Sequence, residues 1–86
     1  MIAVHFKPTF VRQFKKLPSD LQDEVIEKIH EFKHSKNHKK LKVHKLRGAL
    51  KNYYSFSIDY KNRIVFQYEN NREVVFVYIG DHNIYR

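Results

Sequence analysis

The sequence predicts an α+β domain of order β-α-α-β-β-β, with a helical hairpin packed on one face of a small, mostly antiparallel, twisted sheet. Three observations lead there. Apolar residues between positions 10 and 32 recur at helical spacing, in two runs separated by Pro18. From Tyr53 to Gly80 the period falls to two, in three runs joined by short polar connections. A further alternating run opens the chain at Ile2 to Phe6. With 86 residues and no internal repeat, the elements belong to a single domain spanning 1–86.

Each element has a local reason. Ile2, Val4 and Phe6 alternate with Ala3 and His5 as a strand, and Pro8, which lacks a backbone N–H, ends its ladder. Thr9 is placed to cap a short helix with Phe10, Phe14 and Leu17 on one face. Ser19 and Gln22 have capping-box spacing and start a second helix running from about 20 to 35. Its apolar stripe is Leu21, Val25, Ile29 and Phe32. Asp20, Asp23 and Glu24 in its first turn, and Lys33 and His34 in its last, suit the helix dipole. Further on, Tyr54, Phe56 and Ile58 face one way, and Ser55, Ser57 and Asp59 the other. Ile64, Phe66 and Tyr68 oppose Arg63, Val65 and Gln67 in the same manner, and residues 73–80 are apolar on both faces, as a central strand requires. Tyr60-Lys61-Asn62 and Asn70-Asn71 make the connections. The helices cover one sheet face and leave the other partly open for a site.

Charge is concentrated in one segment. Residues 1–35 hold six Lys/Arg against five Asp/Glu, and residues 53–86 hold four against four. Residues 36–52 hold seven Lys/Arg and no acid. A focused patch on an otherwise balanced chain suits a polyanionic partner, whereas a merely solvated loop gains nothing from seven mutually repelling charges. The absence of cysteine excludes a disulfide framework and a thiolate metal site. No leader is visible ahead of the first strand, and no apolar run approaches a spanning helix, so no membrane association is expected and the expected location is cytoplasmic.

Two polar clusters flank the three-stranded meander: His44-Lys45-Leu46-Arg47-Gly48 before it and Gly80-Asp81-His82-Asn83-Ile84-Tyr85-Arg86 after it. With straight strands the two lie at opposite ends of the sheet; twist, or a strand beginning as early as Leu41, would bring them together across the open face. At these residues the chain resembles the RelE/ParE superfamily of type II toxin–antitoxin toxins. His44, Leu46 and Gly48 form an HxLxG pattern similar to that of the YafQ branch. Arg63-Ile64-Val65-Phe66 resembles the Arg-leading strand of RelE toxins, and the closing GDHNIYR resembles YafQ- and YoeB-type endings. The likeness covers essentially the whole chain.

The resemblance implies a RelE-like fold and an mRNA endonuclease acting in the ribosomal A site, inhibiting translation and restrained by a cognate antitoxin. The implied chemistry is metal-free and needs no cofactor: the substrate 2′-OH attacks the adjacent phosphate and the 5′-oxygen leaves. By position, His44 and His82 match the family's catalytic histidines and Arg63 its phosphate-binding arginine, with Tyr85 near the C-terminal tyrosine. Lys42, Lys45, Arg47 and Lys51 would hold RNA phosphates, Tyr53 would stack on a base, and Asp59 is an approximate match to an accessory acid. The YafQ branch carries further His and Asp residues on the first meander strand, where this chain has Ser55, Ser57 and Asp59, so acid and base roles stay undivided between the two histidines.

The bland readings stand beside these. Either histidine can be an ordinary strand-end residue, Arg63 can pair with Asp59 or Glu69, Tyr85 can anchor the C-terminus, and one of Tyr53 and Tyr54 belongs to the core by alternation. His30, His34 and His38 share helical spacing, but with no acid or Cys to complete a ligand set a solvated helix face explains them better than a metal. Two other functions fit the same architecture: a ParE-like toxin directed at DNA gyrase, and a non-catalytic RNA-binding module. Paired histidines beside an open basic cluster favour the nuclease, because gyrase inhibition needs neither. The antitoxin would be a partly disordered chain, acidic where it meets the basic face.

Overall fold

The computed structural model describes residues 2–34, 41, 43–48 and 52–81. Its elements are β1 (Ala3–Phe6), α1 (Pro8–Lys15), α2 (Ser19–His34), β2 (His44–Lys45), β3 (Tyr54–Ser57), β4 (Asn62–Asn70) and β5 (Glu73–Asp81). The sheet has five strands in the order β1-β5-β4-β3-β2. β1 runs parallel to β5 with Ala3 opposite Glu73; every other pairing is antiparallel. The expected order is therefore present with one addition. A two-residue strand, His44–Lys45, forms inside the basic segment and pairs with β3.

Both helix starts differ from expectation. α1 begins at Pro8, whose fixed φ and missing N–H suit the first helical position, with extended Lys7 ahead of it. Thr9 thus lies inside the helix, where its hydroxyl meets Arg12. Ser19 likewise lies inside α2, because the Gln22 N–H already bonds to the Pro18 carbonyl. The Gln22 side chain turns back instead. Its amide Nε2 donates to the carbonyls of Phe14, Leu17 and Lys15 at 3.0, 3.1 and 3.4 Å. These carbonyls lie at and just after the end of α1, so one amide from α2 ties the two helices of the hairpin together.

The sheet is tied to the hairpin in a similar way. β1 ends at Phe6, and the Lys7 N–H makes the last bond on that side, to the Phe76 carbonyl. Beyond that point β5 has no strand neighbour on its β1 side among the described residues. The Ile79 N–H is met there by the Gln13 side-chain oxygen of α1 at 2.8 Å.

The helix-side core is aromatic. Phe32 of α2, Phe56 of β3, Phe66 of β4 and Phe76 of β5 are all fully buried. The Phe32 ring lies 4.9, 5.1 and 5.6 Å from the other three. Phe10, Val25, Leu41, Ile58, Ile64, Val74 and Ile79 complete the cluster. Val74 and Phe76 are even-numbered and Ile79 odd, yet all three reach this core. A β-bulge allows it: Val65 pairs with Tyr78 while the next residue, Phe66, pairs with Phe76, so Val77 is the extra residue. The bulge exchanges the faces of β5 and turns Tyr78 and Gly80 toward the side away from the helices.

That second face is less open than expected. Ser55, Val65, Val75, Val77 and Leu46 are buried without joining the helix-side cluster. On the helix side, Phe6, Val11 and Ile26 are exposed around an apolar groove of about 280 Å³ completed by Phe10, Phe14 and Ile29.

Replacing Gln22 with alanine is expected to cost about 1–2 kcal/mol in urea denaturation, while Ser19→Ala stays within about 0.5 kcal/mol. A true capping box would reverse that order. Phe32→Ala is expected to cost about 3–5 kcal/mol, read as the loss of a cooperative transition or a large fall in its midpoint.

Candidate functional site

The site is laid out by sheet register. His44 pairs with Ser55, Ser55 with Val65, and Val65 with Tyr78, making one cross-strand row. Ser57, Arg63 and Gly80 make the next. Both rows share the face away from the helices, because alternate residues Phe56 and Ile64 fill the aromatic core. The two rows are two residues apart on β3, about 6.5 Å along the strand.

The polar contacts follow the rows. His44 Nε2 is hydrogen-bonded to Ser55 Oγ at 3.3 Å. Arg63 Nη1 donates to Ser57 Oγ at 2.8 Å. Ser55 is fully buried and His44 exposed, so this bond joins an interior hydroxyl to a ring at the surface. Gly80 puts no side chain beside Arg63 on the β5 side. Next to Arg63 a cavity of about 550 Å³ opens, lined by Lys28, Leu41, Ser57, Ile58, Asp59, Tyr60 and Arg63. A neutral imidazole can take or give a proton, and a guanidinium forks onto phosphate oxygens. The face thus carries a proton-transfer group on β2 and an anion-holding group on β4, in adjacent rows on either side of β3.

The HxLxG pattern now has a physical content. His44 lies on the open face, Leu46 is buried, and the Leu46 N–H bonds to the Tyr53 carbonyl at 2.8 Å, continuing the β2–β3 ladder. Gly48 follows at φ +70°, a conformation that costs a side-chain-bearing residue energy although nothing crowds the position within 4 Å.

Other expected site residues are dispersed. Lys45 pairs with Tyr54, which places it on the opposite face of β2 from His44. Arg47 is exposed beyond the end of β2, and Tyr53 is half-buried. Asp59 lines the cavity beside Arg63 and holds a turn. One of its oxygens accepts the Lys61 and Asn62 N–H groups at 2.9 and 2.7 Å, and both oxygens accept from the Asn62 amide. Arg63 bonds to Ser57, not to Asp59 or Glu69. His82, Tyr85, Lys42 and Lys51 lie outside the described residues, as does His38 of the histidine series. His30 and His34 have rings 4.4 Å apart on the exposed end of α2, and no group of three metal-ligating side chains occurs among the described residues.

Reasoning from sequence missed Ser55, Ser57 and Lys28. The first two were read only as standing where the YafQ branch carries His and Asp. Lys28 reaches the cavity from α2, a placement that only the tertiary packing creates.

A profile of RelE-like toxins of the type II toxin–antitoxin system HigB matches residues 5–82. The chain belongs to this toxin family. No curated protein matches it. The toxin shares its fold with YafQ of E. coli strain BL21(DE3), at 10% identity, with 96% of each chain covered and a TM-score of 0.77. The YoeB–YefM complex of Staphylococcus aureus matches at 17% identity over 95% of this chain and 98% of the other, with a TM-score of 0.73. The toxin–antitoxin complex RelBE2 of Mycobacterium tuberculosis matches at 20% identity over 94% and 98%, with a TM-score of 0.72. No described helix of the toxin is long and apolar enough to cross a membrane.

Burial pulls the Asp59 carboxyl upward, but bonds from the Asn62 and Lys61 backbone, the Asn62 amide and the Lys61 charge outweigh it and hold the pKa below the ordinary carboxylate range. A carboxyl that binds its proton less tightly when folded stabilises the fold fully above its unfolded pKa. It loses that contribution as pH falls through the lower folded value. Asp59→Ala is therefore expected to cost about 1–2 kcal/mol at neutral pH and to flatten the acid side of the stability profile, measured by urea denaturation at several pH values.

Proposed function

We propose that this toxin is an endoribonuclease that cuts mRNA in the ribosomal A site by attack of the substrate 2′-OH on the adjacent phosphate, leaving a 2′,3′-cyclic phosphate and a 5′-hydroxyl. The observation that carries the reading is the placement of His44 and Arg63 on one sheet face, each held by a serine hydroxyl of β3. In-line transfer at phosphate needs an acceptor for the 2′-OH proton, positive charge for the developing phosphorane, and a donor for the leaving oxygen. Arg63 supplies the charge. His44 supplies one proton-transfer group, and His82, the residue after the end of β5, supplies the other, with Tyr85 beside it in sequence. The reaction asks for no metal.

The lysines and Arg47 of the basic segment act at longer range. Lys42, Lys51 and Arg47 draw the RNA backbone in, Lys45 contributes from the far side of β2, and the half-buried Tyr53 stacks on a base. The toxin works in the cytoplasm, on the ribosome, within a single domain, and a cognate antitoxin restrains it. Two of the similar structures are toxin–antitoxin complexes, which supports that partnership.

Primer extension on mRNA from cells expressing the wild type or variants tests the reading, with translation running and blocked. Codon-positioned cuts that need translation are expected. His44→Ala is expected to slow cutting about 10²- to 10⁴-fold and Arg63→Ala about 10²- to 10³-fold. Growth arrest with intact mRNA would overturn the nuclease and point to DNA gyrase, with supercoiling as the next assay. Salt-dependent RNA binding without cyclic-phosphate products would leave a binding module.

A further inference from the structure

We infer that Ser55 and Ser57 of β3 are the positioning residues of this site, Ser55 orienting the His44 imidazole from one flank and Ser57 the Arg63 guanidinium from the other. The inference rests on the nuclease reading and assigns how its two groups are held in register.

The support is geometric. β3 lies between β2, which carries His44, and β4, which carries Arg63. Its two outward side chains are both serine, and each reaches one functional group, at 3.3 Å on the β2 side and 2.8 Å on the β4 side. Serine suits the task. Its hydroxyl both donates and accepts, so the Ser55 bond survives whether the imidazole is neutral or protonated, while Ser57 accepts from a permanent cation. Its short side chain also limits how far either partner can wander.

The serines are themselves fixed from behind. Phe56, the residue between them, is fully buried against Phe32, Phe66 and Phe76. Packing on the helix side therefore sets the spacing of two groups on the opposite side, about 6.5 Å apart along the strand. A site built on a strand held this way keeps its geometry better than one built on a loop. β2 alone is too short to do it. It has two residues, and Ser55 adds a side-chain bond to the backbone ladder that pairs His44 with β3.

Ser55 has no alternative explanation as a surface residue. It is the buried polar side chain among the described residues, and its hydroxyl is satisfied by a ring at the protein surface. A position needed only for packing would do better with alanine or valine, which bring no hydroxyl to satisfy.

The test combines single-turnover cleavage of mRNA on programmed ribosomes with ¹⁵N spectra of the free protein. In Ser55→Ala the maximal rate is expected to fall about 10- to 100-fold, with the half-saturating ribosome concentration unchanged and the His44 ring nitrogen signals shifted by loss of the bond to Nε2. Ser55→Thr, which keeps the hydroxyl, is expected to restore both. In Ser57→Ala the Arg63 guanidinium signals are expected to average and the half-saturating concentration to rise several-fold. Urea denaturation confirms that each variant is folded. A cutting wild type whose Ser55→Ala variant keeps its rate and its His44 spectrum overturns the positioning role alone. A wild type that cuts no RNA overturns the nuclease reading, and the role with it, whatever the spectra show.

Discussion

The packing of Phe32 against three strands organises the rest of the molecule. One ring from α2 touches Phe56, Phe66 and Phe76, one aromatic from each of β3, β4 and β5. Because side chains alternate along a strand, putting those three inside commits their neighbours to the other face. Ser55, Ser57, Val65 and Arg63 face outward as a consequence. The helix stripe and the site face are thus one decision, made by a hydrophobic contact worth far more than any polar contact in the site.

The bulge at Val77 refines that arrangement. Without it, Ile79 would leave the core and Gly80 would turn toward the helices. With it, the end of β5 is re-aimed so that Gly80 lies opposite Arg63 and leaves room beside the guanidinium. Gln13 secures the same stretch from α1 by taking the Ile79 N–H. A glutamine on α1, an extra valine on β5 and an arginine on β4 therefore cooperate, though only the arginine would meet a substrate.

Much of this was legible in the sequence, and what was not has identifiable causes. Long, strongly periodic runs announced α2, β4 and β5. The resemblance at His44 and Arg63 pointed to two groups that share a face. Helix starts were misread because Pro8 outcompetes Thr9 for the first turn and because Gln22 serves the preceding helix, a choice made by tertiary proximity. β2 was hidden by its composition, His-Lys in a run of charge, since it pairs for its ladder and for His44 rather than for burial. The bulge was invisible because residues 74–79 are apolar at every position, so alternation carries no information there. Lys45 was grouped with His44 by sequence adjacency, which on a strand means opposite faces. The turn bonds of Asp59 went unread, although a carboxylate two and three residues before waiting N–H groups is suited to them. The serines escaped notice because a serine on an outward strand face has no signature until its neighbours are known.

The parallel pairing of β1 with β5 has a consequence for how the molecule comes into being. Ala3 finds its partner at Glu73, and the Phe32 core lacks Val74, Phe76 and Ile79 until β5 exists. A chain emerging from synthesis can form its helical hairpin early, but its first strand has nothing to lie against until residues 73–76 appear. Closing that distance is slow and comes late. Premature termination anywhere before β5 therefore yields a polypeptide with an unfinished sheet and no ordered site. For a toxin, this means that a chain cut short of β5 lacks the strand against which Val65 and Arg63 of the site face are paired.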